Sequence, residues 1–224
     1  MTISSLTNFT ANQNLLQKYL KGVCLIPASG EFIYDTVPVL VNGTSYENLH
    51  RTGSANTDMT NSVLELKQAV PNLKTVSLVA SWFGTDLRAA YTTIQPGVDS
   101  RTKVSSPYNW QVANQTRSTA YLVQSDPDGN AYFGGTPSDL SLVRCAMFLA
   151  GQGYGVTFYP FIFNDIEPGN TLPNPYSVSG IGQETQPWRG LITTLKNRVL
   201  SNTTDLTSQV TTDVANFFGT CTAS

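Results

Sequence analysis

The order of its apolar segments constrains the fold of this chain more than any other feature. Two strongly apolar runs, KTVSLVASWFG at 74–84 and YGVTFYPFIF at 154–163, have the composition of buried β-strands. Each is preceded by a segment with helical spacing of its apolar residues, at 58–72 and at 134–153. Strands that alternate with helices in this way are typical of parallel strands joined by right-handed crossovers.

Particular residues indicate where the helices begin. Asp58 or Thr60 is the predicted cap of the first helix, and Thr136 is the predicted cap of the second. A third, amphipathic helix is predicted at 203–219. Its apolar face is predicted to consist of Leu206, Val210, Val214 and Phe217.

The remaining segments are shorter or less regular. Strands are predicted at 22–27 and 118–125. The segment 86–117 shows neither the helical spacing nor the strand alternation of apolar residues, and it is predicted to be an inserted loop or hairpin. The first 20 residues are polar and also lack a period. We therefore expect an N-terminal arm at 1–20 and one domain at 21–224.

Two motifs that are absent from the sequence guide the choice of fold. No G-x-G-x-x-G follows a strand and no G-x-x-x-x-G-K-[ST] occurs, which disfavours a nucleotide-binding open sheet. The expected fold class is therefore α/β, with parallel strands in a barrel-type arrangement and long inserted loops. In such a barrel, the functional loops follow the C-terminal ends of the strands.

The charge content argues against one class of partner. Only 12% of residues are charged, the formal net charge is −2 and no basic run occurs, so no direct nucleic-acid ligand is expected. No segment approaches the ~20 apolar residues that span a bilayer, and no secretion signal is recognisable. An integral membrane protein is therefore not expected either.

The cysteine and histidine pattern predicts neither a metal nor a cofactor. Cys24, Cys145 and Cys221 lack the paired spacing of a metal site or a disulfide framework, and His50 is the only histidine. The three cysteines are predicted to be buried thiols.

Carboxylates follow the predicted strand at 154–163 and are candidates for catalysis. Asp165 and Glu167 could supply the acid and the nucleophile or base that glycoside hydrolysis needs, with Asp86 as a third candidate. In the alternative interpretation, Asp165 caps a turn and Glu167 is solvated. For Arg88, pairing with a loop carboxylate and surface exposure are both open. The candidate substrate-binding residues are Trp82, Arg88, Tyr159 and Trp188.

Six longer strings of the chain are distinctive: LIPASGEFIYDT, PNLKTVSLVASWFGTDLRA, QPGV, AYFGGTPSDLSLV, GVTFYPFIFNDIEPGNTLPNPY and QPWRG. Together they resemble the TIM-barrel-like, glycoside-hydrolase-like domain of the tail-hub proteins of gene transfer agents and related alphaproteobacterial tailed phages. The resemblance runs from about Gly22 to Gly219 and includes irregular loops as well as apolar strands. It does not cover residues 1–20.

The resemblance implies a virion component at a phage-like tail tip or baseplate, made in the host cytoplasm. Its expected role is structural or host-recognising and catalytically inactive, and its expected partners are other hub proteins and a host envelope glycan. In that family the barrel continues with further strand–helix units. A partial TIM-barrel-like arrangement is therefore expected, completed by another chain. The alternative function is a glycoside hydrolase acting on envelope polysaccharide or peptidoglycan.

Overall fold

The computed structural model describes residues 14–26, 30–177, 180–185, 191–194 and 207–219. Its helices and strands follow in chain order as α1 (Asn14–Tyr19), β1 (Gly22–Leu25), β2 (Leu40–Val41), β3 (Ser45–Tyr46), α2 (Asp58–Ala69), β4 (Thr75–Gly84), β5 (Ile94–Gln95), β6 (Gly97–Val98), β7 (Ser105–Ser106), β8 (Gln111–Val112), β9 (Gln115–Thr116), β10 (Tyr121–Leu122), α3 (Asp139–Gly151), β11 (Gly155–Asn164) and α4 (Ser208–Phe218). The fold is mixed α/β. The long strands and α2, α3 and α4 lie in the segments where the sequence predicts them.

A parallel sheet with the strand order β1-β4-β11 organises these elements. β1 runs parallel to β4, with Gly22 opposite Thr75 and Leu25 opposite Leu78. The predicted α/β class with parallel strands is therefore confirmed, whereas closure into a partial barrel stays a prediction. The predicted insertion at 86–117 contains β5 to β9, each of only two residues.

The chain divides into two compact units. The first consists of 1–80, 103–114 and 137–159, and the second of 81–102, 115–136 and 160–224.

The core of the first unit is an apolar cluster from β4, α2, α3 and the segment after β1. Its buried members are Tyr34, Met59, Val63, Leu73, Val76, Leu78, Cys145, Leu149 and Tyr154. Burial of each aliphatic side chain contributes about 1.5–3 kcal/mol to folding. The Tyr34 hydroxyl lies 2.7 Å from Val79 O and 3.0 Å from Leu25 O, so the one polar atom of that ring is satisfied.

The core of the second unit is aromatic. Phe83, Val123 and Phe133 are buried, and Tyr121 and Phe163 pack against them. The rings of Phe133 and Phe163 stack with their centroids 4.5 Å apart.

The structure corrects the predicted helix caps. Thr57, rather than Asp58 or Thr60, precedes α2, and its Oγ1 accepts from Thr60 N at 3.4 Å. Ser138, rather than Thr136, caps α3, and its Oγ accepts from Ser141 N at 3.3 Å. Local signals identify a cap region but do not choose between neighbouring hydroxyls.

Thr136 has a different partner, Gly97. Its N–H donates to Gly97 O at 2.8 Å, and its Oγ1 accepts from Gly97 N at 3.0 Å. Thr136 therefore ties the segment before α3 to β6.

Two further predictions are corrected. On α4, Val210 and Phe217 of the predicted apolar face are half-buried, but Val214 is 41% exposed, and Asp213, at 1% exposure, is the buried residue. Leu206 lies outside the described residues. Cys145 is buried as predicted, but Cys24 is on the exposed face of β1, and Cys221 lies outside the described residues.

None of the helices in the described part of the chain is both long enough and apolar enough to cross a membrane.

Candidate functional site

A densely bonded polar cluster of the second unit surrounds Asp86, two residues after the end of β4. Its Oδ1 accepts from Arg88 N at 2.8 Å, from Arg88 Nε at 3.0 Å and from Gln183 Nε2 at 2.7 Å. Its Oδ2 accepts from Arg88 Nη2 at 2.6 Å. Asp86 is only 4% exposed. The two partners therefore hold this carboxylate in one orientation.

Gln183 connects the Asp86 cluster to a distant loop. Besides its bond to Asp86, its Nε2 donates to Pro173 O at 2.9 Å and its Oε1 accepts from Leu87 N at 2.9 Å. Asn170 fixes the backbone of Gln183, because its Nδ2 donates to Gln183 O at 2.8 Å and its Oδ1 accepts from Gln183 N at 2.9 Å. A buried amide with all these bonds is a structural cross-link.

The protonation state of Asp86 follows from these contacts. Burial alone would raise the pKa of the carboxyl group, but hydrogen bonds from Arg88 and Gln183 outweigh it and hold the pKa below the ordinary 3.8. Asp86 is therefore ionised at neutral pH and has no proton to donate. This environment suits an anchor better than a general acid.

Arg88 lies between Asp86 and an aromatic ring. Its guanidinium carbon is 4.0 Å from the centroid of Tyr91, a cation–π distance. The bond to Asp86 is the main cause of the raised pKa of Arg88. Of the two roles left open by the sequence, pairing with a loop carboxylate is the one observed.

Asp165 lies directly after β11 and is 2% exposed. Its Oδ2 accepts from Gln124 N at 2.8 Å, and its carbonyl accepts from the Tyr121 hydroxyl at 3.3 Å. Its own N–H donates to Gly84 O at 2.9 Å. Asp165 therefore joins the ends of β4 and β11 to the segment after β10.

Glu167 is exposed, unlike Asp165. The pKa of Tyr121 is raised to about 12, mainly by burial and in smaller part by the charges of Asp165 and Glu167. Both carboxylates therefore lie within electrostatic reach of one neutral phenol. Two carboxylates in such different environments are a pattern that acid–base enzymes use.

The predicted substrate-binding residues belong to different parts of the chain. Trp82 is half-buried in β4, and Arg88 is committed to Asp86. Tyr159 belongs to β11 within the first unit and is 51% exposed. Trp188 lies outside the described residues.

Three residues of these clusters were not predicted from the sequence. Gln183 is 97 positions from Asp86, and Gln124 and Tyr121 are 41 and 44 positions from Asp165. Only the run STAYLVQS, interpreted as a strand that ends near a turn, gives a weak signal for Tyr121 and Gln124. Gln183 lies in a Gly-rich loop without any local signal.

Across the described residues, no group of three or more His, Cys, Asp or Glu side chains is placed to hold a metal ion.

Comparison with known proteins adds no assignment: no protein-family model matches the chain, and no curated protein matches it. The resemblance to the tail-hub domain stays a prediction, and function has to be argued from the residues.

Proposed function

We propose that this chain is a structural or host-recognition component of a phage-like tail tip, held within a multi-protein hub and located in the virion. The proposal draws its family from the distinctive strings of the sequence. Assembly with other chains is inferred from the apolar surface of the first unit.

An exposed apolar stripe on α3 carries the proposal. Leu140 is 40% exposed, Val143 53% and Met147 69%, and these positions recur at helical spacing on one side of α3. Phe158 of β11, in the same unit, is 54% exposed. Apolar side chains exposed together at regular spacing mark contact surfaces in proteins that assemble. We call Leu140, Val143 and Met147 the α3 stripe.

The position of β11 supports a partner that contributes a strand. Among the described residues, β11 neighbours β4 and ends the strand order β1-β4-β11. An open strand edge presents unpaired backbone groups to other chains, and proteins avoid leaving such edges bare. A strand–helix unit of an adjacent hub protein would cover both this edge and the α3 stripe. It would also extend the sheet towards the proposed partial barrel.

The contacts of the candidate acids support a non-catalytic role. Asp86 is ionised and bonded to Arg88 and Gln183, and Asp165 bonds the backbone of Gln124. Carboxylates engaged by fixed donors stabilise loops. Host recognition would then use loop surfaces that bind an envelope glycan without cleaving it.

Mass spectrometry of purified tail particles tests the proposal. The chain is expected in the particles at a fixed ratio to other hub proteins. Absence of the chain from intact, infectious or gene-transferring particles would contradict the proposal.

A second candidate, glycoside hydrolysis of an envelope polysaccharide or peptidoglycan, is favoured by one observation. The charges of buried Asp165 and exposed Glu167 both raise the pKa of the Tyr121 hydroxyl. The test is sugar release from purified envelopes by the wild-type chain and by the Asp165→Asn and Glu167→Gln variants. Release that both substitutions abolish, with folding retained, would favour the enzyme. Equal release from all three proteins removes this candidate.

A further inference from the structure

A small cleft in the second unit is formed by residues to which the sequence assigns no role. Its volume is about 200 Å³, and its lining consists of Leu87, Asn174, Tyr176, Glu184 and Leu191. Pockets for drug-sized ligands span about 300–1,000 Å³. A cleft of this size admits a single small group.

The apolar walls of the cleft are held by hydrogen bonds of their backbone. Leu87 N donates to Gln183 Oε1 at 2.9 Å, and Leu87 O accepts from Thr193 N at 2.8 Å. Leu191 O accepts from the Tyr176 hydroxyl at 2.7 Å. The walls are therefore preorganised, and the polar tip of Tyr176 is already engaged.

The amide of Asn174 is also engaged. Its Nδ2 donates to Gly182 O at 2.8 Å, and its Oδ1 accepts from Tyr176 N at 2.8 Å. The Tyr176 residue is 41% exposed, which leaves ring surface accessible. For a ligand, the cleft therefore offers aliphatic and aromatic surface rather than neutral hydrogen-bonding groups.

Glu184 gives the cleft its charge. It is exposed, and the described part of the chain supplies no salt bridge to its carboxylate. None of the described residues that line the cleft is Lys, Arg or His. The nearest cation in sequence to Leu87 is Arg88, whose guanidinium is neutralised by Asp86 at 2.6 Å. The described lining therefore combines one carboxylate with aliphatic and aromatic side chains.

We propose that this cleft binds the ammonium head and short alkyl stem of a small organic amine. The carboxylate of Glu184 pairs with the ammonium group, the Tyr176 ring contributes a cation–π contact, and Leu87 and Leu191 contact the stem. A neutral or anionic ligand of the same shape lacks the first two interactions. The inference stands on the geometry of the cleft and does not depend on the proposed tail-tip function.

The test is a titration of the full-length chain with n-butylammonium, followed through the amide NMR signals of Leu87, Tyr176 and Leu191. Saturable shifts are expected with n-butylammonium, and weaker ones with n-butanol or butyrate. Glu184→Gln should weaken the binding of n-butylammonium by about two- to fivefold, the strength of an exposed ion pair. Added salt should reduce the difference between wild type and Glu184→Gln.

Three further variants separate the contribution of the Glu184 charge from that of the Tyr176 ring. Asp128→Asn removes an exposed carboxylate outside the cleft lining and should leave the affinity unchanged. Tyr176→Phe keeps the ring and should bind more tightly than Tyr176→Leu, which removes it. The proposal is overturned if n-butanol or butyrate binds as well as n-butylammonium. It is also overturned if Glu184→Gln and Asp128→Asn have the same effect while the signals outside the cleft show a folded chain.

Discussion

At the residue scale, the second unit contains a buried ion pair between Arg88 and Asp86. The side chains of Arg88 and Asp86 are only 11% and 5% exposed, and their closest atoms are 2.6 Å apart. An ion pair of this kind contributes little relative to an apolar pair, but removing one partner leaves an uncompensated buried charge. Substituting either residue alone therefore leaves the other buried charge without its partner.

Replacing Arg88 should destabilise the protein more than replacing Asp86, because the Asp86 carboxylate is the more deeply buried charge and Arg88 without Asp86 keeps its contact with the Tyr91 ring. Arg88→Met is expected to lower the free energy of unfolding at pH 7 by about 3 kcal/mol, because the Asp86 carboxylate loses its cation. Urea denaturation of the variant measures the loss. The double variant Asp86→Asn/Arg88→Met should recover part of it. A double variant less stable than Arg88→Met would contradict this account.

The pH dependence of stability tests the low pKa of Asp86. Because its folded pKa lies below 3.8, Asp86 contributes stability that is fully present above about pH 4 and is lost as the pH falls through the folded value. The stability difference between wild type and Asp86→Asn should therefore shrink in acid. Denaturation between pH 7 and pH 2 measures it, with Asp128→Asn as the control. A difference that is constant with pH would show that ionisation of Asp86 is irrelevant.

Gly97 is a residue that packing requires to lack a side chain. A Cβ at this position would lie 2.6 Å from Phe83 Cδ2 and 3.1 Å from Val123 Cγ2. Gly97→Ala should destabilise the protein by about 1–3 kcal/mol, the cost of overpacking a core. Thermal unfolding measures the effect. Gly151→Ala is the matched control, because a Cβ there meets nothing within 4 Å, and it should unfold no earlier than wild type.

At the scale of elements, α3 has one buried side and one exposed apolar side. Cys145 and Leu149 lie in the core of the first unit, whereas the α3 stripe faces outward. A helix that packs only against the core of its own unit would carry polar residues on its solvent-facing side. The stripe is therefore the part of this element that we assign to assembly.

Charges introduced into the α3 stripe should block assembly without unfolding the chain. Val143→Glu and Met147→Glu are expected to lower incorporation into purified particles at least tenfold, because an unpaired carboxylate would be buried at the contact. Quantitative mass spectrometry of particles measures incorporation. Ile181→Glu is the control, since Ile181 is 72% exposed but lies in the other unit. Equal incorporation of all three variants would remove the assembly role of the stripe.

Pro160 lies at a position of β11 whose backbone faces away from β4. Gly155 N donates to Lys74 O and Asp165 N to Gly84 O, so the odd-numbered residues of this strand direct their N–H groups towards β4. Even-numbered residues direct theirs away, and Pro160, which has no N–H, falls in that set. A proline is tolerated there because the position does not have to donate to β4.

At the scale of the whole molecule, the tail-tip proposal requires a partner strand at β11, within Thr157 to Phe163. The chain expressed alone is expected to be poorly soluble, and co-expression with the adjacent hub protein should rescue it. In the complex, hydrogen exchange at the amides of Phe158 and Ile162 should slow at least tenfold. The amides of Thr157 and Phe163, which point towards β4, serve as the internal control. A well-folded isolated monomer in which Phe158 and Ile162 are already protected would contradict the prediction.

The sequence by itself determined the types of the main elements. The apolar run of β4, the helical spacing of α2 and α3 and the order of strands and helices were sufficient to predict a mixed α/β fold with parallel strands. These features are local, because periodicity and breaker residues act within a few positions of the chain. Closure of the sheet is not local and was not determined by the sequence.

Only the tertiary structure decided which polar residues are buried and what they bond. Asp86 and Asp165 resemble ordinary loop carboxylates in the sequence, yet they are 4% and 2% exposed. Their partners include Gln183 and Gln124, 97 and 41 positions away. A charged group can be buried only where such partners arrive, and their arrival depends on the folding of distant segments. On α4, too, the amphipathic pattern of the sequence did not identify the buried residue, because Asp213 is 1% exposed and Val214 is 41% exposed.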